Sequence, residues 1–544
     1  MATEGKLGER TVHVIIAALE FLPIIGQIVS IFEKMISIYS KEGKTEFTGF
    51  PIEIWMLINQ DLDFRSLLSM SQVSKDLNVY IFQNSQYNRP ILKTILINEA
   101  KAIANQDLDP NTQAKMLKVI GKAQAKINDL AGAKVTLVQA NRAAVEIKDE
   151  RDKSFRLAEI TGAQAESLDT TGAMETIKVT GGERIPEWIK IGVAFAKSKN
   201  ISQALEIHHR LDTGNSAKLL SKIAKILIEI QDYTGSLKVA ELINNFEIKI
   251  KVKILSKIAN NQFEKEDFKG ASSTIALALE IADKRISHYQ SGEKIESLIL
   301  IAKIFAKMKD DLKYKELKNK ALEIARDNSF FNYNTHYALV SKSLALLSLA
   351  KTFAQMNDDL LYKEIINEAK DIPNQITDRQ NRIFALSRIA EVEIETKDFC
   401  GAEATLEEAK SICIQFPNIN DRAVQLAGVA KIQYGINISK ANETFEMAEL
   451  LTEKLPTYGP FGLYDDTKDN SILNIILALL EVKDFDRAMK NFKRLNDRNK
   501  AKVINMISIA QARSKNFSGA IRSAKQIQDP YYKVKALTKI ACFI

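Results

Sequence analysis

The residues best suited to chemistry in this chain are the adjacent histidines His208 and His209, because imidazole is a common protein ligand for metal ions. No pair of carboxylates with a histidine recurs at the spacing that a metal ion needs. His208 lies four residues after Ala204, in a slot that other parts of the sequence fill with Ile275 or Leu406. We therefore predict a buried, hydrogen-bonded histidine and no metal site.

Two further groups resemble ligand-binding loops only in part. Asp465, Asp466 and Asp469 lie close together, but the segment lacks the glycine and the glutamate of a calcium loop. Gly181 and Gly182 are followed by glutamate and arginine, whereas a phosphate-binding loop continues with lysine and a hydroxyl residue. Neither group predicts a catalytic centre.

The three cysteines are Cys400, Cys413 and Cys542, and none belongs to a C-x-x-C pair or has a histidine nearby. Each falls in a helical pattern where a small buried hydrophobic residue would serve. This usage predicts a reducing compartment, and hence a cytoplasmic protein. Because no constellation of reactive residues emerges, we expect a protein that is not an enzyme and that carries no cofactor.

Composition limits the fold and the partners. Hydrophobic residues make up 46% of the 544 residues, so the chain can bury a large core, while only 22 glycines and 10 prolines favour long helices over a many-stranded sheet. The net charge is +8. No basic block with interleaved aromatic residues stands out, so we expect a solvated surface and no nucleic-acid partner.

The helices that position these residues are marked by sequence signatures that recur along the chain. One signature, Asp or Asn followed by an aromatic residue, any residue and Gly-Ala, begins at Asp267, Asp398 and Asn516. It returns at Asp232 with Gly-Ser and at Asp484 with Arg-Ala, and looser copies begin at Asp129 and Asp169. We predict that the Asp or Asn caps a helix and that the Gly-Ala step lets a neighbouring helix approach closely. Apolar residues four and seven positions after the alanine then form one buried stripe.

A second signature, Leu-x-x-Ile-Ala or a near variant, precedes the first. Its alanines are Ala224, Ala259, Ala302, Ala350 and Ala390, each eight residues before an aspartate. Such constant spacing indicates a unit of helix, tight turn and helix, and stacked units form an α-solenoid. The alternating stretch from Ile248 to Ile254 is interpreted as the start of one such helix rather than as a strand. Its lysines and the one that follows are expected to be mostly solvated, with a basic grip on an acidic partner as the other interpretation: Lys249, Lys251, Lys253 and Lys257. The chain is therefore predicted to be all-α. Both helices resemble those of a tetratricopeptide repeat, over roughly residues 90 to 544, although the Trp and the Leu-Gly pair of that repeat are missing.

The first residues differ from the repeats. Residues 11–32 are apolar with Glu20 as their only charged residue, but Glu20, His13, Gln27 and Pro23 make a poor membrane span. Two interpretations stay open: a hairpin that attaches to a membrane, and an apolar helix pair that packs on the rest of the protein.

Residues 50 to 88 predict three short helices outside the repeat pattern. Pro51 opens the first helix, Asp63 caps the second, and Val73, Leu77 and Ile81 mark the third. This stretch resembles an F-box through the residues Pro51, Glu53, Ile54, Ile58, Leu62, Asp63, Leu67, Leu68, Val73, Ser74, Lys75 and Leu77. It departs from the family at Phe50, Ser74 and Leu77, where Leu, Cys and Trp are usual.

The resemblance implies a function. F-box helices dock on the Skp-type adaptor of a cullin ubiquitin ligase while the rest of the chain holds a substrate, and the combination with helical repeats is similar to F-box effectors of intracellular bacteria. The implied adaptor contacts are Phe50, Pro51, Ile54, Ile58, Leu62, Leu67, Leu68 and Val73. The predicted parts are an apolar segment over 1–45, an F-box-like domain over 46–88 and a repeat solenoid over 89–544. Two alternatives stay open: the three helices could be a cap of the solenoid, and the chain could be a scaffold or chaperone-like binder without a ubiquitin link.

Overall fold

The fold is described from a computed structural model, which covers residues 88–106, 108–180, 185–244, 247–285, 291–327, 336–456 and 466–544. The apolar leader, the F-box-like helices and the predicted adaptor contacts lie outside these residues, as do Gly181, Gly182 and Asp465. The chain divides into two compact units. Of the described residues, 88–136 and 504–544 form one unit, and those within 137–503 form the other.

Within the described residues the chain forms twenty-four α-helices, one 3-10 helix and no strand, so the predicted all-α fold is confirmed. The α-helices are α1 (Asn88–Ala104), α2 (Pro110–Lys126), α3 (Leu130–Val145), α4 (Glu150–Glu166), α5 (Thr170–Val179), α6 (Ile185–Lys197), α7 (Ile201–His208), α8 (Thr213–Glu229), α9 (Tyr233–Glu241), α10 (Ile248–Glu264), α11 (Phe268–Arg285), α12 (Ser291–Lys307), α13 (Asp311–Arg326), α14 (His336–Gln355), α15 (Asp359–Asp371), α16 (Arg379–Glu395), α17 (Phe399–Ile414), α18 (Ile419–Gln433), α19 (Ile438–Glu453), α20 (Thr467–Glu481), α21 (Phe485–Phe492), α22 (Asp497–Arg513), α23 (Phe517–Lys525) and α24 (Pro530–Phe543).

A single type of tight turn joins the two helices of most repeats. In the turn before Asp267, Glu266 has a left-handed backbone with φ of 64°, and the amide of Asp267 donates to the carbonyl of Gln262. This is a Schellman ending, and its last residue at once caps the next helix, since the Asp267 carboxylate accepts from the amide of Gly270 at 2.9 Å. Ten turns share the left-handed residue: Asn128, Leu168, Lys199, Gln231, Glu266, Lys309, Asn357, Lys397, Lys483 and Lys515.

The glycine of the signature leaves room for its own cap and also for a side chain of the preceding helix. A β-carbon on Gly270 would lie 2.1 Å from a carboxylate oxygen of Asp267 and 2.5 Å from the side-chain nitrogen of Gln262, and one on Gly401 would lie 2.5 Å from a carboxylate oxygen of Asp398. The glycine therefore leaves room for the capping carboxylate of its own turn. The alanine that follows is the residue packed in the helix contact, and Ala402 is fully buried.

A buried hydrogen-bond chain reinforces several turns. The Gln262 side-chain amide donates to the carboxylate of Asp267 at 3.1 Å, and its oxygen accepts from the hydroxyl of Thr274 at 2.8 Å. Gln124, Asp129 and Thr136 form the same chain with distances of 2.6 Å. Each chain joins the end of one helix to the turn and to the first half of the next helix, so that the buried glutamine and threonine side chains are satisfied.

One repeat has a glutamate in place of this glutamine. Glu393 is fully buried, accepts from Thr405 at 2.8 Å and forms an ion pair with Lys370. Burial raises the pKa of Glu393, and the charge of Asp398 raises it further, against the opposing effects of Lys370 and Thr405. Because the folded pKa lies above the unfolded value of 4.5, the free energy of unfolding decreases as pH rises through the interval between the two values.

We expect Glu393→Gln to stabilise the protein at neutral pH by about 1 kcal/mol, because the amide replaces a repulsion from Asp398 by a hydrogen bond. The advantage over the parent chain should shrink as the pH falls towards 4.5, where the parent carboxyl is protonated. Thermal unfolding measured from pH 4 to 8 checks this, with Gln262→Glu as the matched reverse change that should destabilise. A Glu393→Gln variant that unfolds at a lower temperature at neutral pH would contradict the interpretation.

In the unit of residues 137–503, helices alternate between two roles. The first helices of the pairs, called A helices here, are α4, α6, α8, α10, α12, α14, α16, α18 and α20, and each contacts the next A helix along the chain. Their partners, called B helices, are α5, α7, α9, α11, α13, α15, α17, α19 and α21. The residues of the Leu-x-x-Ile-Ala signature are buried between the layers, as predicted, with Leu220, Ile223 and Ala224 fully so.

The close packing at the signature alanine gives a direct stability prediction. Ala402→Leu should cost about 1–3 kcal/mol, because the added atoms have no space in a fully packed contact. Ala404, two residues later on the exposed face of α17, offers a control in which the same change should alter stability by less than about 0.5 kcal/mol. Thermal unfolding of both variants measures the difference, and equal effects would mean that the repeat register is wrong.

In the unit that contains both ends of the described chain, one helix pair is formed by helices from opposite ends of the sequence. Helix α24 contains Leu537, Ile540 and Ala541, the A-helix signature, and all three side chains are fully buried. Helix α24 contacts α1 in the manner of an A helix with its B helix, and it also contacts α2 and α23. The Cys542 thiol lies 3.8 Å from the carbonyl oxygen of Ala123 in α2. The last helix therefore supplies the missing partner of the first described helix.

Candidate functional site

The A helices of residues 137–503 share one exposed face. Counted back from the capping residue of each turn, the side chains at positions 14, 10, 7 and 3 lie on one stripe of the helix, and most of them are not buried. In α18 the signature alanine lies one residue nearer to the cap, so the stripe is at positions 13, 9, 6 and 2 and includes Lys431. In α16 these residues are Phe384, Arg388, Glu391 and Glu395, none of which is buried. We call the stripes of successive A helices together the A-helix surface.

Lysine dominates this surface in the middle of the unit. At the stripe positions, helices α8, α10, α12 and α14 together contain eight lysines and three glutamates. The mild charge of the whole chain thus hides a local concentration. Long-range attraction to a negatively charged partner grows with such clustering, because neighbouring charges add their potentials within a screening length of about 8 Å at physiological salt.

Five lysines on two neighbouring A helices have no carboxylate partner among the described residues. They lie on α8 and α10, none of their side chains is buried, and they are Lys218, Lys222, Lys225, Lys253 and Lys257. We call these five residues the lysine cluster. An ammonium group without an ion pair is available to an incoming anion at no cost of breaking an internal contact.

Several other lysines of the A-helix surface are paired, mostly with the third residue before a cap. Lys307 contacts Asn260 at 2.6 Å and Glu264 at 3.5 Å, and Lys431 contacts Glu481 at 3.0 Å. Further pairs between adjacent A helices join Lys190 to Glu166, Lys303 to Gln355 and Lys351 to Glu395. Exposed pairs of this kind contribute about 0–1 kcal/mol each and tie neighbouring helices weakly, whereas the lysine cluster has no such pairs.

Burial lowers the pKa of Lys303, and the charge of Lys351 on the neighbouring helix α14 lowers it further. This shift has the sign expected where positive charges crowd one another on a partly desolvated surface. The lysine excess therefore extends from the cluster on α8 and α10 to α12 and α14.

A second site is a groove of about 640 Å³ between α19 and α21. Arg487 occupies the position that glycine has in other copies of the turn signature. Its guanidinium binds both oxygens of Glu449, at 2.7 and 3.0 Å, and lies over the ring of Phe445. Asn491 donates to the same carboxylate at 2.7 Å. The polar groups satisfy one another, so the groove stabilises the pair of helices and offers little to a ligand.

The remaining candidates have structural roles. His208 is partly buried and its Nδ1 lies 3.2 Å from the hydroxyl of Ser216, as predicted for a hydrogen-bonded histidine. Lys251, predicted as solvated, is instead buried and donates to the carbonyl oxygens of Glu241 and Ile243 at the end of α9. Asp469 is also buried, and one carboxylate oxygen accepts from Asn499 at 3.0 Å.

The cysteines follow the sequence prediction in part. Cys413 is buried, and burial raises its pKa to about 12, so the thiol is inert at neutral pH. Cys400 is exposed, contrary to the prediction of a buried position, because it occupies the variable place in the turn signature. All three cysteines are free.

Within the described ranges, no group of three or more histidine, cysteine, aspartate or glutamate residues could hold a metal ion. None of the helices in those ranges combines the length and apolar character that crossing a membrane requires.

Comparisons with known proteins complete the description. No protein-family model matches the chain, and no curated protein matches it. Among solved structures, yeast Tom70 is 16% identical, with 86% of this chain and 96% of that chain covered and a TM-score of 0.25. Human IFIT1, solved as a dimer with m7Gppp-AAAA, is 11% identical, with 83% and 96% covered and a TM-score of 0.24.

Aspartyl phosphate phosphatase F from Bacillus subtilis is 12% identical, with 77% of this chain and 93% of that chain covered and a TM-score of 0.23. Similarities of this size carry no argument about activity or partners. The structure itself establishes that the described chain is an all-α array of helix pairs with the tetratricopeptide-like arrangement.

Proposed function

We propose that this chain is a binding scaffold that holds an acidic segment of a target protein on its A-helix surface, with no catalysis by its own residues. The lysine cluster is the observation that carries the proposal. Five unpaired ammonium groups on two adjacent helices provide a positive surface that carboxylates of a partner can approach. Complementary charge of this kind accelerates encounter and selects partners by sign.

An acidic protein segment fits this surface better than a nucleic acid does. Proteins that bind single strands combine positive charge with aromatic side chains on which bases stack. Helices α8 and α10 contain only one aromatic residue, Phe263, which lies outside the stripe that carries the lysines. The surface therefore offers charge without a stacking platform, which suits aspartate and glutamate side chains.

A fluorescent twenty-residue polyglutamate peptide tests the proposal on the full chain. Replacing Lys222, Lys253 and Lys257 by alanine should weaken its binding by about tenfold or more and reduce the dependence of affinity on salt concentration. The matched control replaces Lys238, Lys363 and Lys315, exposed lysines of B helices, and should leave affinity within about twofold. Equal losses in both variants would sink the proposal, as would tighter binding of a single-stranded oligonucleotide that depends on the cluster.

The scaffold has a second proposed part, carried by the sequence between Phe50 and Leu77. We propose that this F-box-like segment docks on the Skp-type adaptor of a cullin ubiquitin ligase through Phe50, Pro51, Ile54, Ile58, Leu62, Leu67, Leu68 and Val73. The chain would then be the substrate-recruiting subunit of the ligase, acting in the cytoplasm. The order of parts supports this proposal, since a short docking module precedes a long binding array.

Capture of the chain by purified Skp-type adaptor tests the docking. Pro51→Ala combined with Leu67→Ala should abolish capture, because Pro51 opens the first helix and Leu67 belongs to the proposed contact face. The same variant should keep its affinity for the polyglutamate peptide, which separates failure to dock from failure to fold. Undiminished capture would leave the scaffold without this ligase connection.

A further inference from the structure

The A-helix surface changes character beyond the lysine cluster. At the stripe position nearest the helix start, α14 and α16 have Leu344 and Phe384, whereas α8 and α10 have Lys218 and Lys253. Leu344 is 37% exposed and Phe384 is 48% exposed. The next A helix, α18, continues the row with Val424, which is partly exposed. Apolar side chains that remain in contact with water on three consecutive helices are a surface that association with another apolar group stabilises.

Contacts between stripes bring this row to the same side of the unit as the lysine cluster. Lys303 of α12 donates to the side chain of Gln355 of α14 at 3.0 Å, and Lys351 of α14 forms an ion pair with Glu395 of α16. All four residues are stripe residues, so neighbouring stripes lie side by side. Helix α10 contacts α12 and helix α16 contacts α18. The row therefore continues the surface on which the lysine cluster lies.

Next to the row, the stripe of α18 has an open space. Gly428 lies one turn after Val424 on the same face of the helix and is exposed. Apart from its chain neighbours and the backbone of its own helix, no atom of the described residues lies within 4 Å of the place that a β-carbon on Gly428 would take. A glycine inside a helix is less favourable than alanine, so this position does not serve helix stability. It leaves space in which a side chain of a partner can contact Val424 and the backbone of α18.

We propose that Leu344, Phe384, Val424 and the space over Gly428 form a docking site for a large apolar side chain of the same partner segment whose carboxylates bind the lysine cluster. Because this site rests on the proposed function, it specifies the partner: an acidic stretch followed or preceded by a large apolar residue. Complementary charge places the acidic stretch, and the continuous surface places the apolar residue. Helix α16 is the third A helix after α10. With packed helices about 8–10 Å apart and an extended chain rising about 3.3 Å per residue, about eight residues separate the two parts of the segment.

Two fluorescent peptides test the docking site on the full chain. Each has eight glutamates and a spacer of eight alternating glycines and serines, and the spacer ends in Phe-Leu in one peptide and in Ser-Ser in the other. Both peptides are also made in the reverse order, because an extended segment can run in either direction. In one of the two orders the Phe-Leu peptide should bind about tenfold tighter than its Ser-Ser counterpart, since it buries a large apolar side chain. Equal affinities in both orders would overturn the inference.

Substitutions locate the effect. Gly428→Leu should fill the space and abolish the advantage of Phe-Leu, while the chain unfolds at the same or a higher temperature because leucine is the better helix former. Phe384→Ala should reduce the advantage, and Leu312→Ala, at an 80% exposed leucine of the B helix α13, should leave it intact. An advantage that survives Gly428→Leu would refute the site, as would a Gly428→Leu variant whose altered property is self-association in sedimentation, since the occupant would then be a second copy.

The lysine cluster separates this inference from the proposed function. The triple alanine variant of Lys222, Lys253 and Lys257 should weaken the Phe-Leu and Ser-Ser peptides by the same factor. If it weakened neither peptide, the proposed function would fail, and the inferred partner with it. If it weakened both while Phe-Leu gave no advantage on the parent chain, the acidic partner would stand and only the apolar docking site would be lost.

Discussion

Replacing Leu537 by alanine is expected to destabilise the first described helix, although more than four hundred residues separate the two in sequence. Leu537 is fully buried in α24, which contacts α1 and α2. Loss of a buried leucine costs about 2–5 kcal/mol. Amides of residues 88–104 that exchange when α24 separates from α1 should therefore exchange tenfold faster or more. The accelerated exchange would show that the last helix acts as the A helix of the first repeat.

A matched leucine without packing serves as the control. Leu360 in α15 is 85% exposed, and Leu360→Ala should change stability by less than about 0.5 kcal/mol and leave exchange in α1 unchanged. If Leu537→Ala accelerated exchange only in α24 itself, α24 and α1 would not form one repeat, and other contacts would have to stabilise α1.

The second large effect is expected at Arg487. Arg487→Ala should cost about 3–5 kcal/mol, because it leaves the largely buried Glu449 carboxylate without its bidentate partner. The side chains of both residues are at most 14% exposed, so water cannot replace the lost contact. Chemical unfolding of the chain, followed by exchange in α19 and α21, measures the loss.

Arg388 provides the comparison for this change. It pairs with Glu391 on the same helix, but its side chain is 48% exposed, so Arg388→Ala should have an effect of less than about 1 kcal/mol. A mutant of Arg487 that is as stable as the Arg388 variant would mean that the groove network is not a structural tie between α19 and α21.

Much of the repeat could be predicted because helix capping and the burial of apolar side chains both leave a regular pattern in the sequence. The aspartates of the signature cap helices, as expected, and the Leu-x-x-Ile-Ala residues are buried. The alternating stretch that starts at Ile248 is the beginning of α10, also as expected. These outcomes follow from local chemistry: a carboxylate next to free amides and apolar side chains at helical spacing.

Other features could not be predicted, for identifiable reasons. The left-handed residue of each turn is never glycine in the ten turns that have it, so no glycine marks it and residues such as Lys397 and Gln231 conceal it. The space that the signature glycine leaves for its own capping side chain was not predicted, because that crowding depends on the geometry of the turn.

The lysine cluster could not be predicted either, because it depends on a contact between helices that are distant in sequence. The lysines of α8 and α10 are separate in sequence, and only the contact between the two A helices makes them one cluster. The pairing of α24 with α1 involves residues at opposite ends of the chain, which no local pattern can reveal. Lys251 was predicted to be solvated from its place in the sequence. It is buried instead, because its ammonium group donates to carbonyl oxygens at the end of another helix.

Hydrogen exchange of the full chain with and without the polyglutamate peptide tests the central claim most directly. The lysine cluster predicts slowed exchange in α8 and α10, with weaker slowing in α12, and no change in the B helices α9 and α11. Slowing confined to the B helices, or spread evenly over the chain, would contradict a binding function of the A-helix surface.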